Sequence, residues 1–115
     1  MNDSSYPSDW MRAVLGLCIL KVLETGPSYG YAITAELAAA GLGDIKGGTL
    51  YPLLTRYEQR GLISSQWQAG ESGPGRKYFA LTDAGRQELN SLRTTWSNFS
   101  QTMTRHLHAS SEQNS

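Results

Sequence analysis

The sequence predicts a mainly α-helical domain that carries a small β-hairpin and continues into a long C-terminal helix. Three observations lead to this fold class. Three segments of the first half of the chain, separated by glycines, are typical of helices, and the third has apolar residues with a clear helical spacing. Two segments rich in β-branched and aromatic residues then flank a turn of glycine and proline. Beyond them, apolar residues recur every three or four positions almost to the C-terminus.

Length and composition indicate one binding domain rather than an enzyme. A chain of 115 residues suffices for a single modest core. Since no run of eighteen apolar residues occurs, we expect no membrane partner. The polar residues 1–8 lack the features of a secretory signal, are expected to be flexible, and favour a cytoplasmic protein. Cys18 is the single cysteine, which excludes an intramolecular disulfide.

The first helix is expected from about residue 10 to residue 24. Ser8 or Asp9 would cap its start, and Gly26 and Pro27 would end it. Its apolar residues lie on nearly every side, whereas a surface helix keeps one apolar stripe. We therefore expect this helix to be covered on two sides, with a partner subunit as the second cover.

Two shorter helices follow. Ser28 is expected to cap the second, which would carry Tyr29, Gly30 and Tyr31 in its first turn and end at Gly41. The third is predicted over residues 48–61 from a core-facing stripe with spacing i, i+3, i+4 and i+7. That stripe consists of Leu50, Leu53, Leu54 and Tyr57. Pro52 is tolerated only near a helix start, so this helix should not begin much before Gly48.

A hairpin and a long helix complete the chain. Residues 63–68 and 76–81 are the two expected strands, joined by the glycine-rich tip at residues 70–75. Thr82 or Asp83 would cap a helix over residues 83–108, and the polar residues 109–115 are expected to be disordered. Its apolar seam is narrow, which is typical of helix pairing, and the simplest partner is a second copy of the chain. The seam consists of Leu89, Leu92, Trp96, Phe99 and Met103.

Three helices followed by a hairpin define a winged helix-turn-helix, expected over residues 9–82, with residues 83–108 as a dimerisation helix. In that fold the third helix enters the major groove of DNA and the hairpin reaches an adjacent groove. The formal net charge is zero, but it is unevenly distributed. Residues 1–45 hold two basic and five acidic side chains, whereas residues 46–77 hold five basic and two acidic ones. A local basic segment favours contact with phosphates.

The outer face of the third helix and the hairpin supply the candidate DNA contacts. Arg56 could bond a guanine edge through both arms of its guanidinium, whereas Arg60 lies farther from the helix start and could be an ordinary solvated charge. Gly48 would admit a phosphate to the helix start. The predicted DNA-binding residues are Tyr29, Gly30, Tyr31, Gly48, Thr49, Tyr51, Pro52, Arg56, Gly75, Arg76 and Lys77. The predicted dimer interface consists of Trp10, Val14, Leu17, Leu89, Leu92, Trp96, Phe99 and Met103.

Four motifs resemble the PadR family of bacterial transcriptional regulators. They are Tyr29-Gly-Tyr31, Gly48-Thr-Leu-Tyr-Pro-Leu-Leu54, Glu58-x-x-Gly61-Leu-Ile63 and Gly75-Arg-Lys-Tyr78-x-x-Leu81-Thr-x-x-Gly85. The resemblance covers residues 14–92 and implies a homodimeric repressor that is built through its first and last helices. The single C-terminal helix resembles the small subgroup of the family, in which a tryptophan of that helix can stack on flat aromatic effectors. Trp96 is similarly placed, although packing between subunits would explain it equally well.

Other functions fit the sequence less well. His106 and His108 point to different sides of a helix and have no cysteine beside them, so neither a metal nor another cofactor is expected. The segment from Gly70 to Lys77 only loosely resembles a phosphate-binding loop. Arg76 stands at the position of the motif's lysine, Lys77 stands at that of its serine or threonine, and a strand follows instead of a helix. We therefore predict no enzyme. Two alternatives stay open, namely a winged helix used only for protein contacts and a ligand-binding protein without specific DNA binding.

Overall fold

The computed structural model describes residues 6–70 and 73–110. Its helices are α1 (Ser8–Leu23), α2 (Gly30–Ala39), α3 (Gly47–Gln59) and α4 (Asp83–Leu107), and its strands are β1 (Ser28–Tyr29), β2 (Ile63–Gln68) and β3 (Arg76–Leu81). The predicted fold class is confirmed, and the two strands of the hairpin have the predicted bounds. Positions 1–5 of the expected flexible start and 111–115 of the expected disordered tail lie outside the described residues, as do positions 71 and 72 of the hairpin tip. Ser8, which was expected to belong to the flexible start, is already part of α1.

The wing is a three-stranded antiparallel sheet with the order β1-β3-β2. β2 and β3 pair from Ile63↔Leu81 to Gln68↔Arg76, and β1 adds the pairs Ser28↔Phe79 and Tyr29↔Tyr78. The prediction that Ser28 caps the second helix is therefore wrong. Ser28 lies in extended backbone because it pairs with β3, and α2 begins only at Gly30.

The predicted cap is wrong for α1 and right for α4. α1 begins at Ser8 with Pro7 as its N-cap and no side-chain cap, so the predicted capping by Ser8 or Asp9 is wrong. Asp9 instead pairs with Arg12, one turn along the exposed face. The N-cap of α4 is confirmed, since the Thr82 hydroxyl accepts a hydrogen bond from the Gly85 N–H at 3.0 Å.

A tight turn at the C-terminus of α3 leads into β2 of the wing. Gly61 has a φ of 77°, and the N–H groups of Gly61 and Leu62 donate to the carbonyls of Glu58 and Tyr57. This pattern is a Schellman motif, in which a left-handed residue, usually glycine, closes the last turn. The Thr82 hydroxyl then donates to the Gly61 carbonyl at 2.6 Å, which ties this turn to the start of α4.

One apolar core joins all four helices and the sheet. It contains Leu15, Ile19, Leu20, Val22, Leu23, Ile33, Leu37, Leu50, Leu54, Ile63, Phe79 and Leu89. Leu53 and Tyr57 pack against it from α3, so the predicted core-facing stripe of that helix is confirmed. No helix within residues 6–70 and 73–110 is long and apolar enough to cross a membrane.

Leu89 corrects the predicted seam of the last helix. Its side chain is 1% exposed and belongs to the core of the chain itself, because the N-terminal turns of α4 pack against α1. Gly85 permits this approach, since a β-carbon there would overlap the Leu62 carbonyl. Only the later part of α4 projects beyond the domain, and its apolar side chains from Trp96 to Leu107 are exposed.

Candidate nucleic-acid interface

Seven of the eleven predicted DNA-binding residues line one crevice between α2, α3 and the sheet. We call it the wing crevice, and it encloses about 550 Å³. Its lining residues are Tyr29, Gly30, Tyr31, Tyr51, Trp67, Gly75, Arg76 and Lys77. These residues come from four separate segments of the chain, so the crevice exists only in the folded domain.

The floor of the wing crevice is set by close packing of Tyr51 on Gly30. A β-carbon at Gly30 would overlap the hydroxyl end of the Tyr51 ring, and all three of its nearest atoms would belong to that ring. Tyr51 is nevertheless 50% exposed, so its other side faces the open crevice. Gly30 thus allows the start of α2 to support an aromatic ring of α3, which explains physically why a glycine is needed there.

β1 holds the guanidinium of Arg76 at one side of the crevice. The guanidinium carbon lies 4.4 Å from the centre of the Tyr29 ring, a cation–π distance, and Tyr78 meets the same ring edge-on at 5.2 Å. Tyr29 and Tyr78 are cross-strand partners, which places both rings on one face of the sheet. The Arg76 side chain is therefore oriented before any ligand binds, while it stays exposed.

Lys77 has a different environment from Arg76. Its ammonium lies 3.9 Å from a carboxylate oxygen of Glu58 on α3, and the Ser65 hydroxyl donates a hydrogen bond to the other oxygen of that carboxylate. The ammonium also lies 5.6 Å from the centre of the Phe79 ring. Glu58 thus joins α3 to both long strands of the wing and partly neutralises Lys77.

The remaining predicted contacts lie on the exposed face of α3, outside the crevice lining. They are Gly48, Thr49, Pro52 and Arg56. Arg56 forms no ion pair with any residue in the described ranges, whereas Arg60 lies 3.7 Å from the Glu88 carboxylate on α4 and 5.6 Å from the Tyr57 ring centre. Of the two arginines, Arg56 is thus the one whose guanidinium is available to a ligand.

The start of α3 presents backbone donors and a lysine. The N–H groups of Thr49 and Leu50 donate to the Lys46 carbonyl, while those of Gly47 and Gly48 form no hydrogen bond within the described parts of the chain. The side chain of Lys46 bonds the Asp44 carboxylate at 2.9 Å, and this carboxylate raises the pKa of Lys46. The exposed helix start can therefore accept an anion, as helix N-termini commonly do.

Sequence reasoning missed Trp67. Its indole is 69% exposed, and it lies on β2 directly across from Lys77. Composition alone marks residue 67 only as part of a strand-forming segment. Strand alternation contained the missing signal, because it places Trp67 on the same side of β2 as Ile63 and Ser65, the side that faces α3.

A second surface lies between α1, α2 and α4, and we call it the α1/α4 groove. It encloses about 610 Å³. Its lining residues are Val14, Leu17, Cys18, Lys21, Val22, Thr25, Glu36, Leu37, Ala40, Leu42, Leu89, Arg93 and Trp96. Phe99 continues it along α4, with its ring centre 6.1 Å from that of Trp96. Trp10, Phe99 and Met103, from the predicted interface, are exposed, whereas Val14, Leu17 and Leu92 are half-buried.

Charged groups flank the α1/α4 groove. Arg93 donates to the Glu24 carboxylate at 2.9 Å, and the Lys21 ammonium lies 3.4 Å from it. The hydrogen bond from Arg93 and, secondarily, the contact with Lys21 hold the pKa of Glu24 below its usual value. Burial raises the pKa of the half-buried Cys18 thiol. Within residues 6–70 and 73–110, no three histidine, cysteine, aspartate or glutamate side chains come together as a metal site would require.

Three helices that share a core, the third with an exposed outer face, followed by a wing with two cationic side chains, define the winged helix-turn-helix class of proteins. Within this class, the model of the transcriptional regulator PadR-like family matches residues 19–91. The chain belongs to this family of transcriptional regulators.

Individual transcriptional regulators are also similar to this chain in sequence and in structure. A transcriptional regulator of Mycobacterium tuberculosis is 35% identical over 85 residues, which is 74% of this chain and 78% of that protein. A PadR family regulator from Eggerthella lenta superposes with a TM-score of 0.81 and 34% identity, over 90% of this chain and 89% of that one. Bacillus subtilis PadR, solved in complex with operator DNA, superposes with a TM-score of 0.63 and 30% identity, over 69% of this chain and 45% of that one.

Proposed function

We propose that this chain is a homodimeric, DNA-binding repressor of transcription that occupies an inverted-repeat operator. The observation that carries the proposal is the convergence of Tyr31, Tyr51, Arg76 and Lys77 on one crevice beside the exposed face of α3. Aromatic and cationic side chains together suit a sugar–phosphate strand. The related Bacillus subtilis PadR bound to operator DNA supports the same assignment. The proposal includes no catalytic activity and places the protein in the cytoplasm.

In this proposal α3 enters the major groove. Arg56 donates both arms of its guanidinium to a guanine, and Thr49 with Tyr51 contacts phosphates or a thymine methyl group. Gly48 and Pro52 bring the backbone close to one strand. Tyr29, Gly30 and Tyr31 at the start of α2, and Gly75, Arg76 and Lys77 of the wing, then hold the backbone on both sides of the reading helix.

Residues 9–82 act as the DNA-binding unit in this proposal, and residues 83–108 as the dimerisation helix. The exposed apolar side chains of Trp10, Trp96, Phe99 and Met103 favour a partner surface, because exposed apolar patches commonly mark interfaces. Two copies in an isologous dimer would present their α3 helices about 34–36 Å apart, one turn of DNA. Leu89 takes no direct part, since the core of its own chain buries it.

A small aromatic effector would bind in the α1/α4 groove against Trp96. Such a ligand would release DNA by favouring a dimer geometry in which the spacing of the two α3 helices no longer matches the operator. This requires that the effector bind the two geometries with different affinity.

Selection of bound duplexes from a random DNA pool tests the proposal. We expect one recovered motif with two-fold symmetry, and we expect Arg56→Ala to relax base preference at one position of each half-site, at a cost of about 1–3 kcal/mol. Arg60→Ala is the matched control, because Glu88 already engages that side chain, and it should recover the wild-type motif. If the pool yields no motif at moderate salt, a protein-interaction module or a ligand-binding protein replaces the repressor.

A further inference from the structure

Trp67 is an exposed indole that the predicted set of DNA contacts does not include. Its neighbours in the wing crevice are Tyr31, Tyr51, Arg76 and Lys77. An aromatic side chain with more than two thirds of its surface exposed contributes little to the stability of the chain that carries it. The wing crevice, which Trp67 lines, shares no lining residue with the α1/α4 groove.

The geometry of a duplex determines what must pass through the wing crevice. A major groove and the minor groove next to it are separated by a single sugar–phosphate strand. If α3 reads one groove and the wing reaches the next, that strand runs between them. The wing crevice is the space between α3 and the wing, so it is where this strand would lie.

The two sides of the crevice match the two chemical parts of such a strand. Arg76, held over the Tyr29 ring, offers a cation for a phosphate, and Lys77 offers a second that Glu58 partly neutralises. A deoxyribose ring instead presents C–H groups, which pack well against the face of an aromatic ring. Trp67 is the cross-strand partner of Lys77, so its indole and that ammonium lie on the same face of the sheet. Arg76 precedes Lys77 in β3 and lies on the other face with Tyr29, but it lines the same crevice. A strand in the crevice would therefore meet the indole beside Lys77 and the guanidinium farther along.

We propose that Trp67 contacts a deoxyribose of the strand that separates the two grooves, and that it contributes to operator affinity independently of base sequence and salt. This inference rests on the proposed function, because it requires that the wing binds DNA. It adds an apolar contact to an interface otherwise made of charges and hydrogen bonds. The bases stay stacked, since the indole meets the outside of the duplex rather than its interior.

The test compares variants on two duplexes, one carrying the motif recovered by selection and one a scrambled duplex of the same composition. Trp67→Ala should weaken binding to both duplexes by about tenfold at every salt concentration, because about 60 Å² of apolar contact is lost without a charge. The slope of log affinity against log salt should stay at its wild-type value. Trp67→Phe should lose about threefold or less, since it keeps most of the contact area.

Gln66→Ala is the matched control. Gln66 is the exposed neighbour of Trp67 on the same strand, pairs with Tyr78 and does not line the wing crevice, so this change should leave binding unaltered. Arg76→Ala provides the contrast, since it should lower the salt slope. All four variants alter exposed side chains, and a urea unfolding curve for each verifies that the domain is folded.

The site of contact is identified by fluorine NMR on protein labelled with 5-fluorotryptophan. The chain has three tryptophans, and Trp67→Phe assigns the signal of interest. We expect that signal to shift when either duplex is added. If the wild-type protein binds its motif while Trp67→Ala binds equally well, this inference is overturned and the proposed function stands. If the wild-type protein selects no DNA, both fall together.

Discussion

The hydroxyl end of the Tyr51 ring lies against the α-carbon of Gly30, in the space that a β-carbon would occupy. This contact couples the start of α2 to the outer face of α3. Gly30 is buried under this ring, but half of the Tyr51 side chain is exposed, and neither residue belongs to the apolar core. The importance of the contact should therefore appear in ligand binding more than in the stability of the fold.

Gly30→Ala tests that coupling. The new methyl group should displace the Tyr51 ring and weaken operator binding about tenfold, while the free energy of unfolding changes by less than about 1 kcal/mol, since an exposed ring can rotate away. A double-mutant cycle with Tyr51→Ala gives the control. In that background the clash is absent, so Gly30→Ala should have no further effect on binding and should stabilise the chain by about 0.4–1 kcal/mol. Additive losses in the cycle would contradict the coupling.

Local periodicity predicted the parts of the fold that depend on one segment. The spacing of Leu50, Leu53, Leu54 and Tyr57 is enough to orient α3, and strand composition is enough to define β2 and β3. β1 was missed because its pairing is non-local. Serine suits a helix start and a strand edge equally well, and only the partner Phe79, far along the chain, decides between them.

In the candidate site, too, the sequence predicts features of single segments but not contacts between segments. Arg76 and Lys77 were found through their charge and their place after a glycine-rich tip. That Tyr29 orients Arg76, and that Glu58 partly neutralises Lys77, depends on the register of the sheet and was not visible in the sequence. Leu89 was misplaced for a related reason, since a heptad position looks the same whether it faces another copy or its own core.

The two wing cations should differ in their contribution to DNA binding. Arg76→Ala should lower the salt slope of binding by about one, the value of one lost phosphate contact. Lys77→Ala should lower it by less than about one, because Glu58 already neutralises part of that charge. The measurement is operator affinity at a series of salt concentrations.

Glu58→Gln supplies the control for that comparison. It removes the competing carboxylate charge but keeps an oxygen that can accept from Ser65. In the Glu58→Gln background, Lys77→Ala should lower the salt slope by about one, the value of one complete phosphate contact. Equal slopes for Lys77→Ala with and without Glu58 would mean that the ion pair has no influence on the complex.

Two glycines should respond oppositely to alanine. A β-carbon at Gly48 meets nothing within 4 Å, so Gly48→Ala should stabilise α3 by about 0.5–1 kcal/mol. A β-carbon at Gly85 would meet the Leu62 carbonyl, which is backbone and cannot rotate away, so Gly85→Ala should destabilise the chain by about 1–3 kcal/mol. Urea unfolding measures both. Operator binding should fall for Gly48→Ala despite its higher stability, since the proposed phosphate approach is blocked.

The ion pair between Glu24 and Arg93 should make stability depend on pH in the acid range. The pKa of Glu24 is lowered in the folded chain, chiefly by its hydrogen bond from Arg93. Its contribution is therefore complete above the unfolded pKa, about 4.3, and is lost as the pH falls through the lower folded value. Urea midpoints at several pH values should show this loss in the wild type. Glu24→Gln should remove it, and Arg93→Met should reduce it, since Lys21 still lies beside the carboxylate. If Glu24→Gln retained the full wild-type dependence, other groups would be responsible for it.

The exposed apolar residues of α4 should hold two copies together. Phe99→Asp places a charge on a side chain that is 54% exposed in the single chain, so it should not unfold the domain, but in a dimer it would bury an unpaired carboxylate. We expect monomers in sedimentation equilibrium and operator binding weakened to that of one half-site. Asn98→Asp adds the same charge one residue away, off the seam, and should stay dimeric. If Phe99→Asp sediments as a dimer at the same concentrations as Asn98→Asp, the partner surface lies elsewhere on the chain.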